Sequence, residues 1–410
     1  ASMKLPVPFD NRQFSQYWIG QMCGSLSQQM LLVGLGWQVY LLTESALALG
    51  LVGLARYMPL LLLTVHAGHM ADRHSRVKQM LFARSITGVA VLTLAVSSHL
   101  DLITANIIYL CCVALGVAQT YGMSASSAVV PNLVSKRELA QAMTVTAAGR
   151  EFCTIVGPAI GGFIYILGAS TLYFSSFALI LVSLFVIFLM PPIPQVKETR
   201  KTNVAELLAG FTFVWRTKQV LGSISMDMLA VLIGSVTALL PIFAKDILET
   251  NSVGLGFLRS APAVGALLMS LYLARNPIRR AAGHKLYAAV AVFGLGTIGF
   301  GVSESFAFSL LMLFVLGAAD MVSVVIRSTL VQIETPDTMR GRVSSVNSLF
   351  IGTSNHLGEF ESGVLAALVG AAPAVLIGGV GTLLITAFWI PLFPDLWRRD
   401  ALVPQEDGSL

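Results

Sequence analysis

Twelve apolar stretches recur along the chain, separated by short polar intervals rich in charge. They lie near 14–42, 46–70, 79–98, 102–131, 139–168, 170–190, 219–244, 253–274, 283–302, 306–333, 343–369 and 374–394. Nearly all reach the roughly 20 residues that an α-helix needs to cross the hydrocarbon core. They are too long for the strands of a membrane barrel. In lipid, backbone polar groups must bond to one another, and a helix satisfies them internally. The pattern predicts an all-α membrane protein with twelve transmembrane helices.

The longest polar interval, 191–218, opens with Pro191, Pro192 and Pro194, which stop a helix. It divides the chain into a half of six spans (1–190), a cytoplasmic linker (191–218), a second half of six spans (219–398) and a tail (399–410). Inside the linker, Val204, Leu207, Leu208, Phe211, Val214 and Trp215 fall at helical spacing. Asn203 and Glu206 suit a capping box at its start. This predicts an amphipathic helix along the cytoplasmic interface. The halves also echo one another at an offset of about 202 residues, which is the parallel-repeat arrangement of one transporter architecture. That offset lays Arg73 on Arg275, Gly161 on Gly363 and Gly168 on Gly370.

Composition sharpens the picture. The chain is 55% hydrophobic and 11% charged, with mean hydropathy +0.78; a soluble chain of this length needs a more polar surface. Of the 26 Lys and Arg residues, Lys245 alone falls on one side of the membrane, and Arg56, Arg84, Arg150, Arg259 and Arg327 fall in or at the edge of spans. The remaining twenty lie in the tails and even-numbered loops, which places both termini in the cytoplasm. The net charge of +5 and pI near 9.1 follow from this bias, so no nucleic-acid partner is needed to explain them. No cleavable leader is expected, since Lys4 to Pro8 runs into a polar segment and the first span can act as insertion signal. Ala1 and Ser2 ahead of Met3 read as a cloning remnant. Cys23, Cys111, Cys112 and Cys153 all fall in spans without metal spacing, so neither disulfide nor metal is expected. No phosphate loop, zinc motif or nucleophile elbow is visible. The expectation is therefore a membrane protein that is not an enzyme and uses no cofactor.

After the second span the chain reads Gly68-His69-Met70-Ala71-Asp72-Arg73-His74-Ser75-Arg76-Val77-Lys78. This resembles the G-x-x-x-D-R-x-x-R-x-K signature of the major facilitator superfamily. Gly68 would permit close helix contact, Asp72 suits a helix amino end, and Arg73 and Arg76 can pair with neighbouring acids. Such a cluster is expected to act as a conformational latch. The matching loop in the second half, Ala274-Arg275-Asn276-Pro277, lacks the acid. In the fifth span, Gly149, Gly157, Pro158, Gly161 and Gly162 resemble the glycine-proline signature of that superfamily's exporters, where small residues allow tight packing and proline allows bending. Broader similarity runs through Trp18-Ile19-Gly20-Gln21, Gly317-Ala318-Ala319-Asp320 and Ser354-Asn355-His356-Leu357-Gly358-Glu359. It points to the branch holding enterobactin-exporter-like and macrolide-efflux-like proteins. The resemblance implies two pseudo-symmetric six-helix halves of the major facilitator fold and proton-coupled export of a small organic molecule, a siderophore or a drug. It also implies the inner membrane of a bacterium. An importer or symporter of the same fold is the alternative, followed by a receptor or scaffold. A twelve-helix body encloses its own cavity, so a monomer in the bilayer is expected.

Ionisable residues inside spans mark pathways or partners, because burying them is costly. Asp320 and Arg327 lie seven residues apart on one helical face, about 10 Å along the axis, with Ser323 between them. They could meet through a water or hold one anion at two heights. Asp227 and Arg259 could pair across helices. His356, Glu359 and Asn355 share a face, while Glu361 points away from it. Arg150 and Glu151 are adjacent and need different partners. Asp320, Glu359, Glu151 and His356 are thus the candidates for coupling to protons. Arg150, Arg327, Asp227, Arg259, Arg56, Trp37, Tyr40, Tyr121 and Asn355 are the candidates for a substrate cavity.

Overall fold

Asn11 begins the first long helix, its Oδ1 accepting from the backbone N–H of Gln13 at 2.9 Å and Phe14 at 3.3 Å, the usual remedy for the unpaired donors of a first turn. The computed structural model describes residues 7–73, 75–126, 129–135, 138–191, 204–336 and 338–400; for 7, 8, 69, 71–73 and 204–207 it describes the backbone alone. Thirteen helices of more than ten residues follow one another: α1 (Arg12–Thr43), α2 (Ala46–Arg73), α3 (Arg76–His99), α4 (Ala105–Ser126), α5 (Leu139–Tyr165), α6 (Ala169–Phe188), α7 (Val204–Arg216), α8 (Lys218–Gly234), α9 (Ser252–Arg275), α10 (Ala282–Gly301), α11 (Phe306–Glu334), α12 (Arg340–Val369) and α13 (Ala371–Leu392). The expected spans correspond to α1–α6 and α8–α13, and the linker helix to α7. Its expected capping pair, Asn203 with Glu206, lies outside the described residues.

Two of the expected spans are not one continuous α-helix. The fourth is helical to Ser126, and beyond residues 127 and 128, which lie outside the description, comes a turn, Val130–Leu133, with Pro131 in its opening positions; a proline that cannot donate suits a helix start. In the seventh the α-helix gives way after Gly234. Beyond it come a 3-10 turn (Thr237–Leu239), a short helical turn containing Pro241 and a π turn (Phe243–Ile247). Proline removes one donor from the ladder, and the chain regains its bonds in other registers. Among the described residues, eight stretches are long and apolar enough to cross a bilayer by length and composition: α2, α3, α4, α6, α8 extended to Ile247, α9, α11 and α13. Helices α1, α5, α10 and α12 fall short because polar and glycine residues dilute them.

Backbone packing divides the chain into two units. Unit 1 comprises Ala1–Glu44, Leu51–Thr202 and Thr250–Ser260; unit 2 comprises Ser45–Gly50, Asn203–Glu249 and Ala261–Leu410. Each has the same internal scheme. In unit 1, α1 packs on α5 and α6, while α3 packs on α4 and α6. In unit 2, α8 packs on α12 and α13, while α10 packs on α11 and α13. Matched details recur. Arg73 and Arg275 each close a helix, α2 and α9. Gly168 (φ +112°) and Gly370 (φ +93°) each precede the last helix of their unit in a conformation that strains any other residue. Gly116 lies against the carbonyl of Arg56, and Gly317 against that of Pro262. The Ser183 hydroxyl donates to Gly20 O at 2.7 Å, and the Thr382 hydroxyl to Ala230 O at 3.3 Å.

The chain closes unit 2 with a strap. After α13, a turn at Pro394–Trp397 carries residues 398–400 back across the start of α10. Asp400 Oδ1 accepts from Ala281 N, Asp400 O from Ala282 N and Arg399 O from Gly283 N, at 2.8 to 3.0 Å. These bonds satisfy donors that a first turn leaves open. Arg399 Nη1 meets Glu334 Oε1 at the end of α11 and Gln219 Oε1 in α8, each at 2.7 Å.

Candidate functional site

Helices α8 and α11 of unit 2 bring together a cluster of charged side chains. Asp227 on α8 and Arg327 on α11 are 6% and 4% exposed. They form an ion pair between Asp227 Oδ2 and Arg327 Nη1. The Ser323 hydroxyl, one turn before Arg327, donates to Asp227 Oδ1 at 3.1 Å. Asp320, one turn earlier still, lines a cavity of about 10 Å³ with Asp227, Ser323, Ala230, Val290 and Phe293. That is room for about one water. Among the described residues no hydrogen bond or ion pair engages the Asp320 carboxyl. The cluster therefore holds two carboxyl groups against one guanidinium, and a single proton balances it.

The partner of Arg327 is one the sequence reading did not assign to it: a carboxylate on another helix, Asp227, with Ser323 joining that pair from between Asp320 and Arg327.

Unit 1 treats its arginines differently. Arg84 on α3 donates from Nη2 to Gln21 Oε1 on α1 at 2.9 Å. Its guanidinium lies over Gly24, where any Cβ would overlap it. Arg56 on α2 is 8% exposed and donates to Gln119 Oε1 on α4 at 3.2 Å, while its Nε has no partner. Arg150 on α5 is exposed and Glu151 half-buried, and neither side chain forms a hydrogen bond or ion pair with the described residues. Gly149 seats α5 against Met22 Sδ and Trp18, which brings Arg150 alongside the same stretch of α1. The Tyr17 hydroxyl donates to Ser126 O at 3.3 Å and lies in hydrogen-bond reach of Gln21 and electrostatic range of Arg84 and Arg150. Sequence reading singled out neither Arg84 nor the amides Gln21 and Gln119; the available signal was a neutral amide inside an apolar span.

The remaining candidates distribute as follows. On α12, His356 Nδ1 stands 3.9 Å from Glu359 Oε2, on the shared face that the i, i+3 spacing implies. Asn355 is exposed, and Glu361 keeps a buried Oε2 without a partner. Trp37 and Tyr40 are buried in α1. Tyr121 is tied down within unit 1: its hydroxyl is 2.7 Å from His66 Nδ1, its ring meets Phe82 edge-on, and its carbonyl accepts from Gln79. Gly157 lies on Gln29 and Gly161 on the backbone of Met30, so α5 crosses α1 at close range, and Gly162 meets the carbonyl of Ser252. Pro158 sits within α5 without ending it. Gly68 does not mediate a close helix contact; among the described residues nothing lies within 4 Å of where its Cβ would be. The expected loop is helical through Asp72 and Arg73, whose side chains lie outside the description, and Arg76 opens α3.

The family of transmembrane secretion effectors, within the major facilitator superfamily, matches residues 5–404. Enterobactin exporter EntS of Escherichia coli is 25% identical over 403 residues, covering 97% of this chain and 95% of the exporter. Among solved structures, a bacterial homologue of the iron transporter ferroportin, in its inward-facing state, superimposes with a TM-score of 0.74 at 16% identity. It covers 95% of this chain and 99% of that one. A mutant of the nucleoside transporter NupG does so with a TM-score of 0.77 at 14% identity, covering 93% and 100%. At such identities the two structures speak for the fold alone.

Proposed function

This chain belongs to the transmembrane secretion effector family of major facilitator transporters, a multi-pass membrane protein that moves a small molecule, and on that premise we propose that it is a proton-coupled exporter. Asp320 carries this reading. A carboxyl group with no partner, beside an ion pair already closed between Asp227 and Arg327, leaves the cluster one negative charge in excess. Uncompensated charge is costly away from water, and a proton removes it with the least movement of the surrounding helices. Protonation of Asp320 then switches the cluster between net charge −1 and 0, a local event able to bias two packings of one helix bundle. The His356–Glu359 pair on α12 is a second proton-carrying candidate. The bias of Lys and Arg toward one side supports a cytoplasmic position for both termini. The likeness to the enterobactin exporter supports outward transport of a siderophore-like or drug-like molecule across a bacterial inner membrane.

The test uses everted vesicles energised by respiration, with enterobactin and a macrolide as trial passengers and a fluorescent dye reporting lumenal pH. Accumulation of one of them, accompanied by proton release and abolished by an uncoupler, is the expected outcome. Asp320→Asn should then retain downhill flux while losing acceleration by the pH gradient. Accumulation that survives collapse of the gradient overturns the reading.

A further inference from the structure

Unit 1 contains cationic side chains that no acid among the described residues pairs with. Arg84 spends one N–H on the neutral Gln21 amide, and Arg150 forms no hydrogen bond or ion pair with the described residues. Both lie beside one short stretch of α1, residues 17–24. Gly24 makes room for the Arg84 guanidinium, and the contact of Gly149 with Trp18 and Met22 holds the backbone of α5, one residue before Arg150, against this stretch. Tyr17 stands in electrostatic range of both. A guanidinium inside a helix bundle ordinarily meets a carboxylate, because burying an unpaired charge is costly. Here a carboxamide stands at the carboxylate's place, which fixes the orientation of Arg84 and leaves its charge available. Gln21 is thus a positioning residue. The planar guanidinium donates in a fork that matches a carboxylate or a comparable oxyanion.

We propose that Arg84 and Arg150, with Gln21 and Tyr17 between them, form the binding point for the anionic group of the transported molecule. The inference rests on the transporter reading, and it names the class of passenger: a small organic anion, held by two guanidinium groups. The same molecule with its charge removed binds poorly at this point, since the cations then lose their counter-charge.

Equilibrium binding to the purified full chain in lipid nanodiscs tests this without any proton gradient, so failure of proton coupling and failure of this site give separate signatures. The probes are salicylate and its uncharged amide, salicylamide. The wild type is expected to prefer salicylate by about tenfold or more, the worth of a charge-assisted hydrogen bond. Arg84→Gln and Arg150→Gln should each erase most of that preference while leaving salicylamide binding within about twofold. Arg84→Lys should restore part of it by returning the charge without the fork. A wild type that treats the two probes alike overturns the proposal. So does an Arg84→Gln protein that weakens both probes equally, or an Arg84→Lys protein that behaves as the glutamine variant does.

Discussion

Arg327 in unit 2 and Arg84 in unit 1 are both arginines within packed helices, yet one meets an aspartate and the other a glutamine. Around Arg327 the charges pair, and the surplus is an acid, Asp320. Around Arg84 an amide, a phenol hydroxyl and the Cys23 thiol gather, and the surplus is the cation itself. The backbone framework is the same in the two units, from the helix packing scheme to Gly168 and Gly370 ahead of the last helices. A repeated framework thus carries opposite electrostatics, and the difference lies in a few side chains rather than in the path of the chain. On the reading proposed above, the two copies of one scaffold divide labour, one receiving a proton and the other an anion.

The comparison can be broken most directly by deleting each arginine. Arg327→Ala leaves the buried Asp227 without a cation, beside the half-buried Asp320, and should cost about 3–5 kcal/mol of stability. Arg84→Ala breaks one hydrogen bond to a neutral acceptor and should cost about 1–2 kcal/mol. Thermal unfolding of the purified protein in detergent measures both, and equal losses would erase the contrast. The next test concerns what the units share. Gly168→Ala and Gly370→Ala should each cost on the order of 1–3 kcal/mol, because alanine resists the positive φ found at both sites. A loss at only one of them would mean that the repeat is less faithful than its backbone suggests. Gln21→Glu then converts unit 1 to the chemistry of unit 2. It should raise stability by about 1 kcal/mol or less, since the new pair is only partly buried, while abolishing the preference for salicylate over salicylamide. The smallest effect is expected where the units match in chemistry. Ser183→Ala should lose about 0.5–1.5 kcal/mol, one hydroxyl-to-carbonyl bond between helices, and Thr382→Val less, because the Thr382 hydroxyl is shared between Ala230 O and the nearer Gly378 O of its own helix.

Helix existence was legible in the sequence because each span is long and its ends are marked by charge, proline or glycine. The turns at Val130–Leu133 and beyond Gly234 were not, because hydropathy averages across a proline without registering its missing donor. The partner of Arg327 went unassigned for a related reason. Spacing along one helix shows that Asp320 and Arg327 share a face, but a partner from another helix, Asp227, is 100 residues away in the chain and invisible to periodicity. Arg84 was recorded only as a charge in a span, since nothing in a glutamine 63 residues upstream announces that it will take a carboxylate's place. Glycine spacing in α5 did carry information about contact, because Gly149, Gly157 and Gly161 recur at intervals that return to one side of a helix. Gly68 followed the same reasoning, and among the described residues nothing lies against it.

The strap formed by residues 398–400 has a practical consequence for anyone handling the protein. Three backbone or side-chain acceptors from this segment finish the amino end of α10, and Arg399 also ties α8 to α11. A reporter or affinity tag joined downstream of Asp400 leaves that stitching intact, whereas a fusion cut back to Phe393 exposes three amide protons at once and releases the ends of two further helices.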